Sequence, residues 1–219
     1  MTESTATTTS SGRRRWPDGY DPPRTRRELV DSALHLFEQE GFDRTTLQQI
    51  VSGANLTKGA FYHHFKSKED LLWQIQNEYL DTQIEAAHAI VEAQSDIVEQ
   101  LRDLIRLSLS GVSSYRAHVV IFNQERRRLT GERLASVTEK RNELEAVFRG
   151  AVEQGIKAGI FRSDMSGRVI SFGILGMCAW AFQWFNSGGK LTIDQVADQF
   201  CVLVLDGLLT PESSPTPGR

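Results

Sequence analysis

The chain has 219 residues, 40% hydrophobic and 24% charged, and 25 Lys+Arg against 28 Asp+Glu leave a formal net charge of −3. This is an ordinary globular balance and excludes a disordered or collagen-like chain. The two cysteines, Cys178 and Cys201, exclude a disulfide scaffold or a cysteine-rich zinc site. Residues 1–23 lack periodicity, hold Pro17, Pro22 and Pro23, and read as a flexible arm made basic by Arg13, Arg14 and Arg15. Residues 1–68 carry ten Lys/Arg and eight Asp/Glu, whereas residues 69–219 carry fifteen and twenty. The basic excess therefore sits in the N-terminal third, as either a polyanion contact or a solvated tail.

From residue 24 to 40 the positions Leu29, Val30, Ala33, Leu36 and Phe37 recur at helical spacing. Gly41 is placed to end that helix, with Phe42 folding back on its last turn. Thr45 or Thr46 caps a short helix with Leu47, Ile50 and Val51 inward, and Gly53-Ala54-Asn55 makes a turn. Thr57 caps a second short helix reaching His64, with Phe61 and Phe65 inward. Two short helices about a glycine-bearing turn form the pattern of a helix-turn-helix. Ser67, followed by Glu69 and Asp70, starts a long helix toward Gln94. The remainder reads as helix throughout: 97–109, 117–129, 134–157, 168–186 and 193–208, with breaks at Gly111, Gly131, Gly159 and Ser187-Gly188-Gly189. No alternating strand pattern of useful length occurs, and residues 210–219 read as a disordered tail. The fold class is all-α: a helix-turn-helix unit over residues 24–70, then a larger helical unit over residues 71–209.

In a helix-turn-helix the second helix enters the major groove and the first crosses the backbone. Thr46 and Gln48 at the start of the crossing helix suit phosphate oxygens. Lys58, Tyr62 and His63 suit phosphate, Thr57 a base edge or methyl group, and Gly59 close approach. An enzyme has little support. His63 and His64 are adjacent and diverge on a helix, so they cannot share a metal ion. Residues 52–59 superficially match a phosphate-binding loop but lack the glycine before Lys58 and a Ser/Thr after it. No catalytic group, metal site or cofactor is expected, and a helical scaffold without DNA binding is the competing class. No secretory signal and no convincing membrane span are present, so a cytoplasmic protein is expected.

The run Gly41-Phe42-Asp43-Arg44-Thr45-Thr46-Leu47-Gln48-Gln49-Ile50, followed by Gly53-Ala54-Asn55-Leu56-Thr57-Lys58-Gly59-Ala60-Phe61-Tyr62-His63-His64-Phe65-Lys66-Ser67-Lys68-Glu69-Asp70, closely resembles the TetR family of transcriptional regulators. The resemblance implies a three-helix DNA-binding domain, a helical C-terminal ligand and dimerisation domain, and repression relieved by a small ligand. It also implies DNA contacts from Thr46, Thr57, Lys58, Gly59, Tyr62, His63 and Lys68. A homodimer on a pseudo-palindromic operator follows, with the last two helices as its expected interface. Gly173, Gly176, Trp180 and Trp184, with Val196, Phe200 and Val204, are the residues that suggest it.

A weaker resemblance covers residues 119–125, 159–162, 176–185 and 188–192. It points to the branch of that family that responds to acyl-CoA thioesters of fatty-acid and steroid-ring degradation. Such an effector needs an apolar tunnel and cations for its phosphates. The candidates are Tyr115, Phe122, Trp180 and Trp184 for the wall, and Arg116, Arg126, Arg127 and Arg128 for the phosphates. Trp180 and Trp184 have interface and pocket readings alike, and a different hydrophobic ligand is the alternative effector.

Overall fold

The computed structural model describes residues 21–125 and 128–210, and over these it is a helical protein. Its helices are α1 (Pro22–Glu40), α2 (Leu47–Gly53), α3 (Lys58–His64), α4 (Lys68–Ala93), α5 (Ile97–Ser114), α6 (Arg116–Gln124), α7 (Gly131–Lys157), α8 (Gly167–Trp184) and α9 (Ile193–Leu208). The only pairing of strand type among the described residues is an isolated bridge between Phe161 and Leu209.

Side-chain caps define the N-terminal helix starts. The side chains of Asp21, Thr46, Thr57 and Ser67 accept from the backbone N–H of Arg24, Gln49, Ala60 and Asp70. Each such cap contributes about 1 kcal/mol. Pro22 and Pro23, expected in the arm, instead open α1, because proline lacks the N–H that a first helical turn cannot use and fixes a helical φ. Gly41 ends α1 at φ 80° as its position suggested.

Two apolar cores share α4. One joins Leu29, Phe37, Ile50, Phe61, Phe65, Leu71 and Ile75 to Ile121, Leu129 and Val137 of the C-terminal half. The other packs Ala87 of α4 with Leu101, Leu104, Phe148, Ile174, Cys178 and Cys201. The division expected between residues 70 and 71 thus lies inside a continuous helix whose first turns belong to one core and whose later turns belong to the other.

Three expected boundaries change. Gly111 does not break a helix; it is buried within α5, where a Cβ would lie 2.9 Å from the Tyr79 hydroxyl. Close packing, not chain reversal, requires a glycine there. The helix expected over residues 117–129 stops at Gln124, and Leu129 is inserted in the N-terminal core. Thr210, expected in the tail, donates its N–H to the Ile160 carbonyl at 3.1 Å. The remaining arm and tail positions, residues 1–20 and 211–219, lie outside the described residues. No helix among the described residues is long and apolar enough to cross a membrane.

Candidate DNA interface and effector cavities

The N-terminal face is assembled from residues whose inward partners are fully committed. Phe61 and Phe65 are buried 5.4 Å apart, centroid to centroid, and pin α3 to the core. Gly53 lets α1 approach α2 closely: a Cβ there would fall 2.5 Å from Ser32 Oγ, which itself donates to the Ile50 carbonyl. The turn into α3 is held by Asn55 at φ 54° and by the Leu56 N–H on the Val51 carbonyl at 2.7 Å.

This packing leaves Lys58, Gly59, Tyr62 and His63 on the outer surface of α3, with Tyr62 60% exposed. Thr46 and Gln48 are exposed at the start of α2. Gly59 is not required by the fold, since a Cβ would meet only Thr57 Oγ1, at an ordinary 3.6 Å. Gly59 is the second residue of α3, in the helix's first turn. Thr46 and Thr57 also carry their caps, and the Gln48 amide donates to Ser52 Oγ at 3.1 Å.

Lys68 is the exception among the expected DNA-contacting residues. Its ammonium donates to the carbonyls of Phe42 and Thr45 at 2.6 and 2.7 Å and lies 4.2 Å from the Phe42 ring centroid. That cation ties the α1–α2 connection to the start of α4, an internal role beside the phosphate contact expected of it. Beside it is a group that sequence reasoning missed. Asp70, buried, accepts from the Lys66 N–H at 2.9 Å and from Arg133 of α7 at 2.7 Å. Asp70 was legible as a favourable helix-start residue, but its ionic partner is 63 positions away in sequence.

The expected effector residues fall around α6, spread over neighbouring cavities. Phe122 lines a central cavity of about 330 Å³, with Leu80, Leu144, Leu175 and Ala179 as apolar wall and Asn123, Arg141 and Glu145 as polar groups, open to solvent at Thr138, Asn142, Phe172 and Gly176. A narrower space of about 80 Å³, also lined by Phe122, continues it to Val112. Val112 in turn borders a cavity of about 300 Å³ where Arg116 and Trp184 meet. Tyr115 lies on a side cavity of about 210 Å³ with Tyr79 and His118. From Phe172 to Trp184 the α8 wall of this series is roughly 18 Å long at 1.5 Å per residue.

Tyr79 stacks on His118 at 5.8 Å, and burial pushes its hydroxyl up to about 12 and the His118 imidazole below its usual value. Desolvation disfavours the charged form of each, and at His118 it outweighs the opposing pull of Asp31. Tyr79, Arg141 and Glu145 were missed in the sequence because α4 and α7 carry them among ordinary polar residues at helical spacing.

Trp180 departs from the pocket reading. It is 63% exposed and turned to the outer face of α8 with Val169, while Phe172 stands at the margin between that face and the central cavity. The helix period that brings Ile174, Cys178 and Ala181 into the core carries Trp180 outward. Gly173 and Gly176 lie on the same outer stripe, and nothing stands within 4 Å of a Cβ built on either. On α9, Val202 and Leu203 are exposed as well, Leu203 at 66%. Arg126 and Arg127 lie outside the described residues. Arg128 is paired with Asp43 and Glu125, so that cation is committed to the contact between the two cores.

The helix α6 faces both regions. Ile121 is buried in the N-terminal core while Phe122 forms the cavity wall. At its start Arg116 pairs with Glu38 of α1 at 3.3 Å and donates to the Phe182 carbonyl of α8 at 3.1 Å. Just past its end Glu125 accepts from the Phe42 N–H at 3.3 Å. Among the described residues no group of three or more His, Cys, Asp or Glu is placed to hold a metal ion.

Residues 29–75 match the model described as bacterial regulatory proteins, tetR family, and residues 94–208 match the tetracyclin repressor-like C-terminal domain. The chain is 34% identical over 190 residues to the HTH-type transcriptional repressor KstR2 of Rhodococcus jostii, covering 86% of this chain and 93% of that one. It is similar to the solved ketosteroid transcriptional regulator KstR2 of Mycobacterium tuberculosis, with a TM-score of 0.79 and 29% identity over 84% of this chain and 95% of that one. It is also similar to AibR, solved with isovaleryl coenzyme A and operator DNA, with a TM-score of 0.75 and 29% identity over 82% and 97% of the two chains. Both halves of the chain and their order are accounted for, and the chain belongs to the TetR family of ligand-responsive, DNA-binding transcriptional regulators.

Proposed function

We propose that the protein is a homodimeric transcriptional repressor released from its operator by an acyl-CoA thioester of lipid or steroid-ring catabolism. The observation that carries this reading is the position of α6, with Ile121 in the DNA-binding core and Phe122 in the cavity wall. A molecule that fills the cavity displaces Phe122, and α6 transmits the movement through Glu38 and Phe42 to α1 and the segment before α2. A ligand acts this way only by binding one arrangement better than the other.

DNA contact falls to Thr46, Gln48, Thr57, Lys58, Gly59, Tyr62 and His63. Lys58, Tyr62 and His63 neutralise or bond phosphate, and the bare Gly59 backbone approaches it. The outer stripe of α8 with Leu203 of α9 forms the dimer seam. Contiguous exposed apolar surface of this kind marks an interaction site, and glycines facing open space admit a neighbouring helix closely. Two helices from each subunit then make a four-helix bundle. The acyl group occupies the central cavity and the narrow space beside it. Arg116 receives a phosphate of the coenzyme, with Trp184 alongside, and Tyr115 lines the side cavity. The similarity to KstR2 and to AibR with its bound thioester supports this class of effector.

The test is native mass spectrometry of the full chain on its own promoter DNA, followed by titration with a panel of acyl-CoA thioesters. The expected result is a dimer-based DNA complex released by one class of thioester. A stable complex that ignores every thioester retains the repressor and replaces the effector by another hydrophobic ligand. Failure to form any complex at low salt overturns the DNA-binding reading.

A further inference from the structure

The turn that follows α3 is fastened from the C-terminal half of the chain. Asp70, buried in the first turn of α4, accepts through Oδ2 from the Lys66 N–H at 2.9 Å, one residue past the Phe65 that ends α3. Its Oδ1 accepts from Arg133 of α7 at 2.7 Å. We infer that Arg133 is a positioning residue for the DNA interface. It holds Asp70, Asp70 holds the α3–α4 turn, and α7 thereby sets the orientation of α3 along a line separate from α6. This inference rests on α3 being the helix that meets DNA and requires no particular effector.

The surroundings make that ion pair consequential. The other donors to Asp70, the Lys66 N–H and the Gln74 amide at 3.1 Å, are neutral and share Oδ2, while Arg133 brings the charge to Oδ1. Removing the cation from a buried carboxylate leaves an uncompensated charge, which the chain relieves by turning the carboxylate toward water and away from Lys66. The guanidinium is itself partly buried, with its carbon 5.9 Å from the Trp73 ring centroid, so neither end of the pair is a loose surface group. The start of α7 depends on the same contact. Thr130 makes no side-chain cap bond there and Gly131 has φ 57°. Arg133, in the first turn, fixes α7 to α4, and one turn later Ser136 Oγ donates to Asn77 Oδ1 at 3.2 Å.

The two lines end at different places. The contacts of α6 reach α1 through Glu38 and the segment before α2 through Phe42. The contact of α7 reaches the far end of the helix-turn-helix, directly behind α3. Farther along α7, Asn142 and Glu145 border the central cavity, roughly 18 Å from Arg133 to Glu145 at 1.5 Å per residue. A rigid helix that borders the cavity and also holds the α3–α4 turn biases both when it has two arrangements. Coupling of this kind is reciprocal, so DNA that clamps α3 also steadies the first turns of α7.

The experiment is hydrogen exchange read by mass spectrometry on the full-length protein, free and bound to its own promoter DNA. In the unaltered protein DNA should slow exchange in α3 and also in residues 129–137, which lie outside the helix-turn-helix. R133M should lose the slowing at 129–137 and bind the duplex about tenfold more weakly, within the usual range of coupling between sites. When free it should exchange faster in residues 58–67 but not in α2. The double variant R133M/D70N removes the buried charge together with its partner and keeps an acceptor for Lys66. It should regain the thermal stability lost in R133M without regaining the slowing at 129–137, whereas a merely structural pair would recover both. R133K, which keeps the charge and loses the fork, should fall between. R133M that retains duplex affinity and the slowing overturns the inference, as does faster exchange spread evenly over residues 22–64. If the unaltered protein forms no DNA complex at low salt, the DNA-binding reading fails on its own. Exchange in free R133M then decides whether Arg133 positions α3: acceleration confined to residues 58–67 upholds it, and no acceleration overturns it.

Discussion

The two regions of this molecule use their exposed side chains differently. In the unit of α1 to α3, buried Phe37, Phe61 and Phe65 secure short helices. Side-chain caps satisfy their first turns, and what remains exposed is polar apart from the Tyr62 ring. In the unit of α5 to α9 long helices bury Leu101, Leu104, Phe148 and Phe161. Yet they leave Val169, Phe172, Trp180 and Leu203 uncovered on one side and open cavities beside α6. The first region is finished as a monomer and offers hydrogen bonds outward. The second offers exposed apolar surface, the mark of an interaction site, and open cavities beside α6. In the proposed function a second copy and a ligand complete this region, whereas the proposed DNA-facing surface needs no completion.

The comparison is broken most directly at α9. Leu203→Glu places a charge on the exposed apolar stripe without touching either core. It should dissociate the dimer, lowering operator affinity by at least a hundredfold because both half-sites are no longer held together. Analytical ultracentrifugation alongside fluorescence anisotropy on operator DNA checks both effects, and a dimer that persists would remove α9 from the seam.

A smaller effect is expected at Lys68. Lys68→Met removes two charge-assisted bonds to the Phe42 and Thr45 carbonyls and should destabilise the N-terminal unit by about 2–3 kcal/mol. The readout is chemical denaturation followed by circular dichroism. A variant of unchanged stability whose DNA salt dependence becomes shallower would instead return Lys68 to the phosphate contacts.

The mildest change is Tyr62→Ala, which strips an exposed ring from α3 and leaves Phe61 and Phe65 in place. Operator and random duplex should lose affinity together, by about tenfold, because a phosphate contact carries no sequence information. Thermal stability should not move. Loss confined to the operator would make Tyr62 a reader of bases, and no loss would take it off the interface.

How far the sequence could be read differs between the same two regions. The caps Thr46, Thr57 and Ser67, the reversal at Gly41 and the inward pair Phe61 and Phe65 were all legible, because each depends on residues within a few positions of itself. Lys68 is placed among the DNA contacts by the family resemblance alone. Its neighbours in sequence suggest a helix start near DNA, while the carbonyls it binds belong to residues 42 and 45. Trp180 was equally ambiguous, since helical spacing says which residues share a stripe but not which stripe faces the core. Gly111 looked like a break because a glycine's local effect is visible and the Tyr79 hydroxyl above it is not.

What the sequence determined by itself is the all-helical class, the helix-turn-helix with its outward Lys58, Gly59, Tyr62 and His63, and the family to which the motif belongs. These rest on hydrogen bonding and periodicity within a turn or two of chain. The tertiary structure alone decided that Lys68 reaches the carbonyls of Phe42 and Thr45 and that Trp180 faces outward. It also decided that Phe122, Arg141 and Arg116 stand along one series of cavities beside α6. Those outcomes depend on packing between helices tens of residues apart, where a side chain's role follows from what the fold brings against it.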